Sequence, residues 1–413
     1  MNTAAIPQGP GPVPDHVPTE LVYNFHQLEP IMTEKPYERL AELVKVAPKI
    51  FFSPGFLPRQ EPAWHLTNYE DIRFVAQNPQ TFSSQGNYRG PRPEVDGESD
   101  YDLIPLELDP PHHNLPRALL TPILSPKSVA SMEDKIRSLV LELIQQLKDK
   151  GTNECEFVEE FARPLPSILF CGLSGLPMER AEELVEWNNN IIKAKSLEEA
   201  QEGAQKIGDL LAELIEEVKA NPTDSFISKV VNQAEIDDRP MTNKEIFGFT
   251  FLLFLGGLDT VTNMLGNIFS YLGDNPDKRD EIVNNPDILP QAVEELIRTH
   301  GVIAVHRAVV EDTEVDGVPM KKGERVTLLY PAANFNDSAF ENADTVDFNR
   351  ESNAHFTFGA GPHRCIGSHL ARKEINIAVE ELLKAFPTIR TKAGDKPVAD
   401  CLGTYGYHYV PLE

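Results

Sequence analysis

The stretch MTNKEIFGFTFLLFLGGLDTVTNMLGNIFSYLGDNP, residues 241–276, limits what this chain can become. Thr242 followed by Glu245 makes a capping box, in which each side chain satisfies an orphan N–H of the first helical turn. The helical pattern then continues until Gly273 and Pro276 stop it. About thirty residues at roughly 1.5 Å each make a rod of about 45 Å, long enough to cross a whole molecule. Its middle is apolar on every side, so burial is expected. The apolar run FGFTFLLFLGGL (247–258) stops at Asp259 and is too short to span a bilayer.

A length of 413 residues leaves room for roughly two or three domains. No Gly/Ser tract, charge block or repeat divides it, so one unit over 1–413, with a Pro-rich N-terminal arm at 1–20, is as well supported as a multi-domain chain. The formal charge of −26 argues against nucleic acid or an anionic membrane as a partner. Cys155, Cys171, Cys365 and Cys401 form no CxxC pair and no disulfide framework, which fits a reducing cytosol. The start MNTAAIPQGPGPVPDHVP has no basic n-region and no apolar h-region, so a cytoplasmic location is expected.

Elsewhere the pattern is helical with short β pieces. Ser131–Lys150 and Pro177–Ala220 read as amphipathic surface helices, and DILPQAVEELIRTH as another helix. AWHLTNYEDIRFVAQNP begins as a strand and ends as a helix. VEDTEVDGVPMKKGERVTLLY is β-prone, with a turn at Asp316-Gly317. The fold class is mainly α with small β-sheets.

FTFGAGPHRCIG (356–367) crowds three glycines, a proline, a histidine and an arginine around Cys365, and the helix SHLARKEINIAVEELLKAF follows directly. A lone cysteine is most often an inert buried thiol. Here the glycines permit backbone to approach a flat ligand closely, and the helix start favours thiolate over thiol. Zinc would need further Cys or His ligands at short spacing, and none is offered. A single soft thiolate on a glycine-lined loop suits the axial position of haem iron.

Phe358-Gly-Ala-Gly-Pro-His-Arg-Cys365-Ile-Gly367 resembles the haem-binding loop of the cytochrome P-450 (haem-thiolate monooxygenase) family, F-G-x-G-x-H-x-C-x-G, at every fixed position. The resemblance implies a helical P-450 fold around haem b, with Cys365 as axial ligand. Glu295-Leu-Ile-Arg298 resembles the family's E-x-x-R, and Arg350 in DFNR its third member; in the family this trio is a buried structural network. Asp109-PPHHNLP-Arg117 resembles D-P-P-x-H-x-x-x-R, so the resemblance assigns His113 and Arg117, with Arg307 and His363, to the haem propionates. Gly256-Gly-Leu-Asp259-Thr260 resembles the oxygen-activation motif G-G-x-D-T. There Thr260 would hold reduced dioxygen and Asp259 would feed protons, although small residues at a helix crossing and a back-bonded threonine would fit the same letters.

The likeness covers nearly the whole chain and is greatest for the bacterial camphor hydroxylase group, in PDHVPTELVYNF, FSSQ, YDLIP, GGLDTV and SHLARKE. Tyr101 falls where that group has a tyrosine donating to a substrate ketone. Leu106 stands where it has threonine, Leu255 and Ile303 replace valines, Gly403-Thr404 replace an aliphatic pair, and the loop holding Tyr88 is longer. With Leu252 and Gly256, these residues are expected to shape a pocket for a small terpenoid or norisoprenoid bearing one carbonyl or ether. No flavin or dinucleotide motif is present, so the resemblance implies electrons from NADH through a reductase and a [2Fe–2S] ferredoxin. A basic patch of Arg117, Arg364, Arg372 and Lys373 would steer that ferredoxin. A peroxide-driven haem-thiolate peroxygenase and a non-enzymatic haem-based sensor are the alternatives.

Overall fold

A computed structural model of the protein describes residues 9–57, 60–88, 90–95, 97–177, 180, 181, 183, 184, 186, 187, 197–401 and 403–413. The first eight residues of the Pro-rich arm and part of the helical reading over 177–196 lie outside the described residues. The chain forms two compact units, and neither is a continuous segment. One comprises Met1–Ser84, Gly266–Cys365 and Arg390–Pro411, the other Gln85–Leu265, Ile366–Ile389 and Leu412–Glu413.

The first unit contains a five-stranded sheet in the order Ile50–Ser53, Ala63–Leu66, Arg325–Leu328, Val305–Val309, Phe82–Ser83. Its pairs are antiparallel except Ala63–Leu66 with Arg325–Leu328, which run parallel with Val326 opposite Trp64. Trp64, Leu66, Val326 and Leu328 share one face of the sheet and are fully buried, and His65 and Thr327, paired on the other face, are buried too, so both faces are covered although the sequence alternates. Thr313–Val315 and Val318–Met320 pair as a hairpin through Asp316 and Gly317, with φ of 47° and 77°, the two positive angles that a two-residue turn requires. Helices Pro36–Val46, Tyr69–Gln77 and Leu289–Thr299 belong to this unit. Asn68 caps the second of them by accepting from the N–H groups of Glu70 and Asp71 at 3.0 and 3.2 Å.

The second unit is helical, with Asn114–Leu120, Glu133–Asp149, Pro164–Ser174, Leu197–Ala220, Phe226–Gln233 and Ser368–Ala385. Its apolar core includes Leu210, Leu211, Ile227, Val230, Phe249, Phe251 and Phe254. Pro116 is the third residue of its helix, inside the first turn, where its missing N–H has no intrahelical acceptor to lose.

The long helix runs unbroken from Asn243 to Asp274. Its capping box is formed: the Thr242 N–H donates to Glu245 Oε2 at 2.7 Å, and the Glu245 N–H to Thr242 Oγ1 at 3.3 Å. By length and composition it could cross a membrane, yet residues 261–270 are all buried in protein. Burial on every side does not extend to the middle. Leu252, Leu255, Asp259 and Thr260 are half-buried and Gly256 is exposed, and these five positions, spaced i, i+3, i+4, i+7 and i+8, make one face of the helix. Protein side chains leave that face partly uncovered.

Candidate active site

The cysteine loop is held by its own backbone. The Cys365 N–H donates to the Phe358 carbonyl at 2.7 Å and the Gly359 N–H to Phe356 at 2.7 Å, and Gly361–His363 form one 3₁₀ turn. Gly359 and Gly361 adopt φ of 69° and 67°. At Gly361 the requirement is double, because a Cβ would also overlap the carbonyl of Ala76 at the end of helix Tyr69–Gln77. The loop therefore lies directly on that helix end. Cys365 is exposed; Cys171 and Cys401 are buried and Cys155 half-buried. Burial pushes the Cys155 and Cys401 thiols up to about 12 and that of Cys171 up to about 11, which makes them inert. Helix Ser368–Ala385 begins three residues after Cys365.

Behind the loop lies a buried ionic network. Glu295 accepts from Arg298 at 2.7 and 2.8 Å, from Arg350 Nε at 3.2 Å, from the Asp347 N–H at 3.0 Å and from Asn353 Nδ2 at 3.0 Å. Burial alone would raise the Glu295 carboxyl; Arg298, the Asp347 N–H and Arg350 outweigh it and hold the group below the usual carboxylate range. Arg298 also donates to the carbonyls of Asn334, Ala343 and Thr345 at 2.6, 2.7 and 3.2 Å, while Arg350 reaches those of Glu341 and Thr345. The two arginines thus fasten the irregular chain 334–350.

Asn334 and Thr357 complete the link to the cysteine. Asn334 donates to the Arg298 carbonyl and to Thr357 Oγ1, both at 2.9 Å, and accepts from the Phe356 N–H at 2.8 Å. Thr357 in turn donates to the Ile297 carbonyl at 2.8 Å. Sequence reasoning missed both residues. Thr357 stands inside the quoted motif, but Asn334 carries no local signal, since its partners are 22 to 36 residues away. Tyr330 was missed as well; its ring stacks on Phe356 with centroids 5.7 Å apart and touches the position a Cβ of Gly359 would occupy.

Arg307, on strand Val305–Val309, is buried and donates to the His306 carbonyl at 2.7 Å; His363 is half-buried in the 3₁₀ turn. In the second unit His113 is buried at the start of helix Asn114–Leu120, with Nδ1 3.3 Å from Asn114 Oδ1, and Arg117 is half-buried one turn on. On the open face of the long helix, Thr260 Oγ1 donates to the Gly256 carbonyl at 3.1 Å, and Asn263 Nδ2 donates to Asp259 Oδ2 at 2.9 Å. A Cβ on Gly256 would meet nothing within 4 Å, whereas one on Gly257 would press on Phe170 at 3.0 Å. The two adjacent glycines thus differ: Gly257 serves packing and Gly256 keeps the open face flat.

Two expectations need correction. Tyr101 is buried, and its hydroxyl donates to the Pro93 carbonyl at 3.0 Å. A phenol has one O–H, so Tyr101 cannot in this arrangement donate to a substrate ketone. Tyr88 likewise donates to the Pro91 carbonyl at 3.3 Å. Lys373, placed in the basic patch, is ion-paired with Glu133 at 2.6 Å, so its charge is balanced locally; Arg364 is exposed and Arg372 half-buried. Of the other residues expected to line a pocket, Leu106, Leu252 and Leu255 pack at the edge of the second unit's core, and in the first unit Ile303 and Thr404 are half-buried.

Among the described residues no three His, Cys, Asp or Glu side chains gather to hold a metal ion. The donor set at the loop is one exposed thiol, which fits a metal whose other ligands come from a macrocycle. Residues 12–403 match the family model described as Cytochrome P450. The chain is 34% identical over 402 residues, 96% of its own length and 94% of the relative's, to the "Probable cytochrome P450 127A1" of Sinorhizobium fredii. The solved structure of CYP101C1 superposes with a TM-score of 0.84 at 26% identity, and that of CYP101J2 with 0.82 at 27%, each over 97% of this chain and 99% of the other. With its cysteine loop, its Glu295–Arg298–Arg350 network and its mainly helical fold, the chain belongs to the cytochrome P450 family and is a haem-dependent monooxygenase.

Proposed function

We propose that this monooxygenase hydroxylates a C–H bond of a small, compact apolar molecule of terpenoid or norisoprenoid type, with electrons passed from NADH through a reductase and a [2Fe–2S] ferredoxin. The observation that carries the reading is the loop 356–365, which keeps one thiol exposed on a tied backbone while the other three cysteines are buried or half-buried. Cys365 would ligate the iron of haem b, and His113, Arg117, Arg307 and His363 would hold its propionates. Bound there, haem supplies the reductive activation of dioxygen and the oxidation of carbon.

The side chains do the rest. The Thr260 hydroxyl donates a hydrogen bond to the Gly256 carbonyl, so its oxygen is left as an acceptor on the open helix face. Asp259, half-buried and oriented by Asn263, can exchange a proton with solvent and hand it toward that face. Leu106, Leu252 and Leu255 supply apolar wall, and both tyrosine hydroxyls are turned to backbone. Selection is then by shape rather than by a hydrogen bond, and a carbonyl on the substrate is not required. An acidic ferredoxin would meet Arg117, Arg364 and Arg372, with turnover falling as salt rises.

The test is a screen of camphor, small terpenes and ionones for the low-spin to high-spin shift, followed by turnover with ferredoxin, reductase and NADH. Absence of a shift with every compact terpenoid, or product formed only when hydrogen peroxide replaces the ferredoxin, overturns the reading.

A further inference from the structure

Residues 88–107 precede the D-P-P motif and carry Tyr88, Tyr101 and Leu106. A partly buried ion pair runs through them: Arg92, 18% exposed at its side chain, donates to Glu107, which is 0% exposed, at 2.8 and 2.9 Å. The same guanidinium donates to the carbonyls of Tyr101 and, at 3.4 Å, Tyr88. Its central carbon also lies 5.4 Å from the Tyr88 ring centroid and 5.7 Å from that of Tyr101. Glu107 accepts in addition from the N–H groups of Tyr88 and Leu103, both at 2.9 Å. One cation and one carboxylate thus join positions 88, 92, 101, 103 and 107, and every partner is either a pocket tyrosine or its neighbour.

The outer side of this segment is fastened to helices. Gln201 donates to the Arg92 carbonyl at 2.5 Å, and Gln205 accepts from the Glu94 N–H at 2.7 Å and donates to its carbonyl at 3.2 Å. Tyr101 packs edge-on against Phe247 of the long helix at 5.5 Å. A planar guanidinium suits the centre of this arrangement, because it can bond in its plane and stack on aromatic faces at once, which an ammonium cannot.

We propose that Arg92 is the positioning residue of the substrate pocket, an internal cation that fixes the wall made by Tyr88, Tyr101 and Leu106. Its effect on substrate choice rests on the pocket reading above; its effect on the wall does not. Arg92 touches no reacting atom and acts through the two rings and the Tyr101 carbonyl. Regioselectivity follows, because a rigid apolar wall selects by shape only while it stays in place.

The test uses haem-loaded full-length protein, with camphor and β-ionone as probes. In Arg92→Ala, amide exchange at Tyr88 and Leu103 speeds up by about tenfold or more, because the acceptor Glu107 loses its cation. Both probes bind about tenfold more weakly by the spin-state shift, and the hydroxylated products spread over more positions. Millimolar guanidinium ion reverses these changes in Arg92→Ala and leaves the wild type unaltered, a rescue that a general loss of stability would not show. Arg92→Lys, which keeps charge without the fork, gives the broadened products. Unchanged exchange and unchanged product ratios in Arg92→Ala overturn the proposal. Should that variant fail to fold, the double variant Arg92→Leu, Glu107→Leu carries no uncompensated charge, and wild-type exchange at Leu103 with wild-type product ratios in it is equally fatal. A wild type that shifts with no compact terpenoid overturns the terpenoid reading instead, while the exchange result still decides the role of Arg92.

Discussion

A carboxyl group sits inside the last long helix with part of its hydrogen-bonding capacity unused. Glu374, on Ser368–Ala385, is 3% exposed, and its buried Oε2 has no hydrogen-bond partner among the described residues. Burial pushes it from an ordinary value of 4.5 up to about 8. Between those two values the unfolded chain gives up a proton that the native chain keeps. The native state therefore binds more protons, and stability falls as pH rises through that window. A gap of about 3.5 pH units, at about 1.4 kcal/mol per pH unit, amounts to about 4–5 kcal/mol. Glu374→Gln preserves the volume and removes the titration, at the expense of a less well-satisfied amide worth about 1–3 kcal/mol. At pH 5 the variant is then slightly the weaker of the two, and near pH 8 it is the stronger. Urea unfolding followed by far-UV circular dichroism at pH 5, 6, 7 and 8 reads the difference directly. Parallel stability curves for the two proteins would show that Glu374 ionises normally and would refute the reasoning.

Two further outcomes follow from the same accounting. Glu295→Gln leaves buried Arg298 and half-buried Arg350 facing a neutral amide and should lower stability by about 3–5 kcal/mol, seen as a lower urea midpoint and faster haem loss; Arg350→Met, which removes the longer and more exposed arm, should do less. Thr260→Ala should go on consuming NADH while releasing mainly hydrogen peroxide, and an unchanged yield of hydroxylated product per NADH would refute the acceptor role proposed for Thr260.

Much of this was legible in the chain because the relevant signals are local. The capping box at Thr242 and Glu245, the Asp316-Gly317 turn and the glycines before Cys365 each act over a few residues, where spacing and backbone preference dictate geometry. The long helix was read correctly in extent but not in burial. Its apolar composition says nothing about which neighbours cover it, and protein side chains cover the face carrying Gly256 and Thr260 only in part. Asn334 was illegible for the opposite reason: an asparagine in a polar stretch looks like loop, and its three bonds join chain segments that only folding brings together.

Tyr101 shows how a side chain's identity can survive while its employment changes. A motif match fixes the residue type, but a phenol has one proton to donate, and where it goes depends on the nearest acceptor. Here the segment through Pro91 and Pro93 presents two carbonyls, and the Tyr88 and Tyr101 hydroxyls each donate to one. Arg92, lying between these prolines in sequence, then satisfies the carbonyls of the tyrosines themselves. The polar groups of the segment close on one another, so what the segment would offer the proposed substrate is ring and aliphatic carbon. Glu107 is buried and Arg92 half-buried, and in the pocket proposed above the wall would be apolar because these polar bonds are completed within the segment.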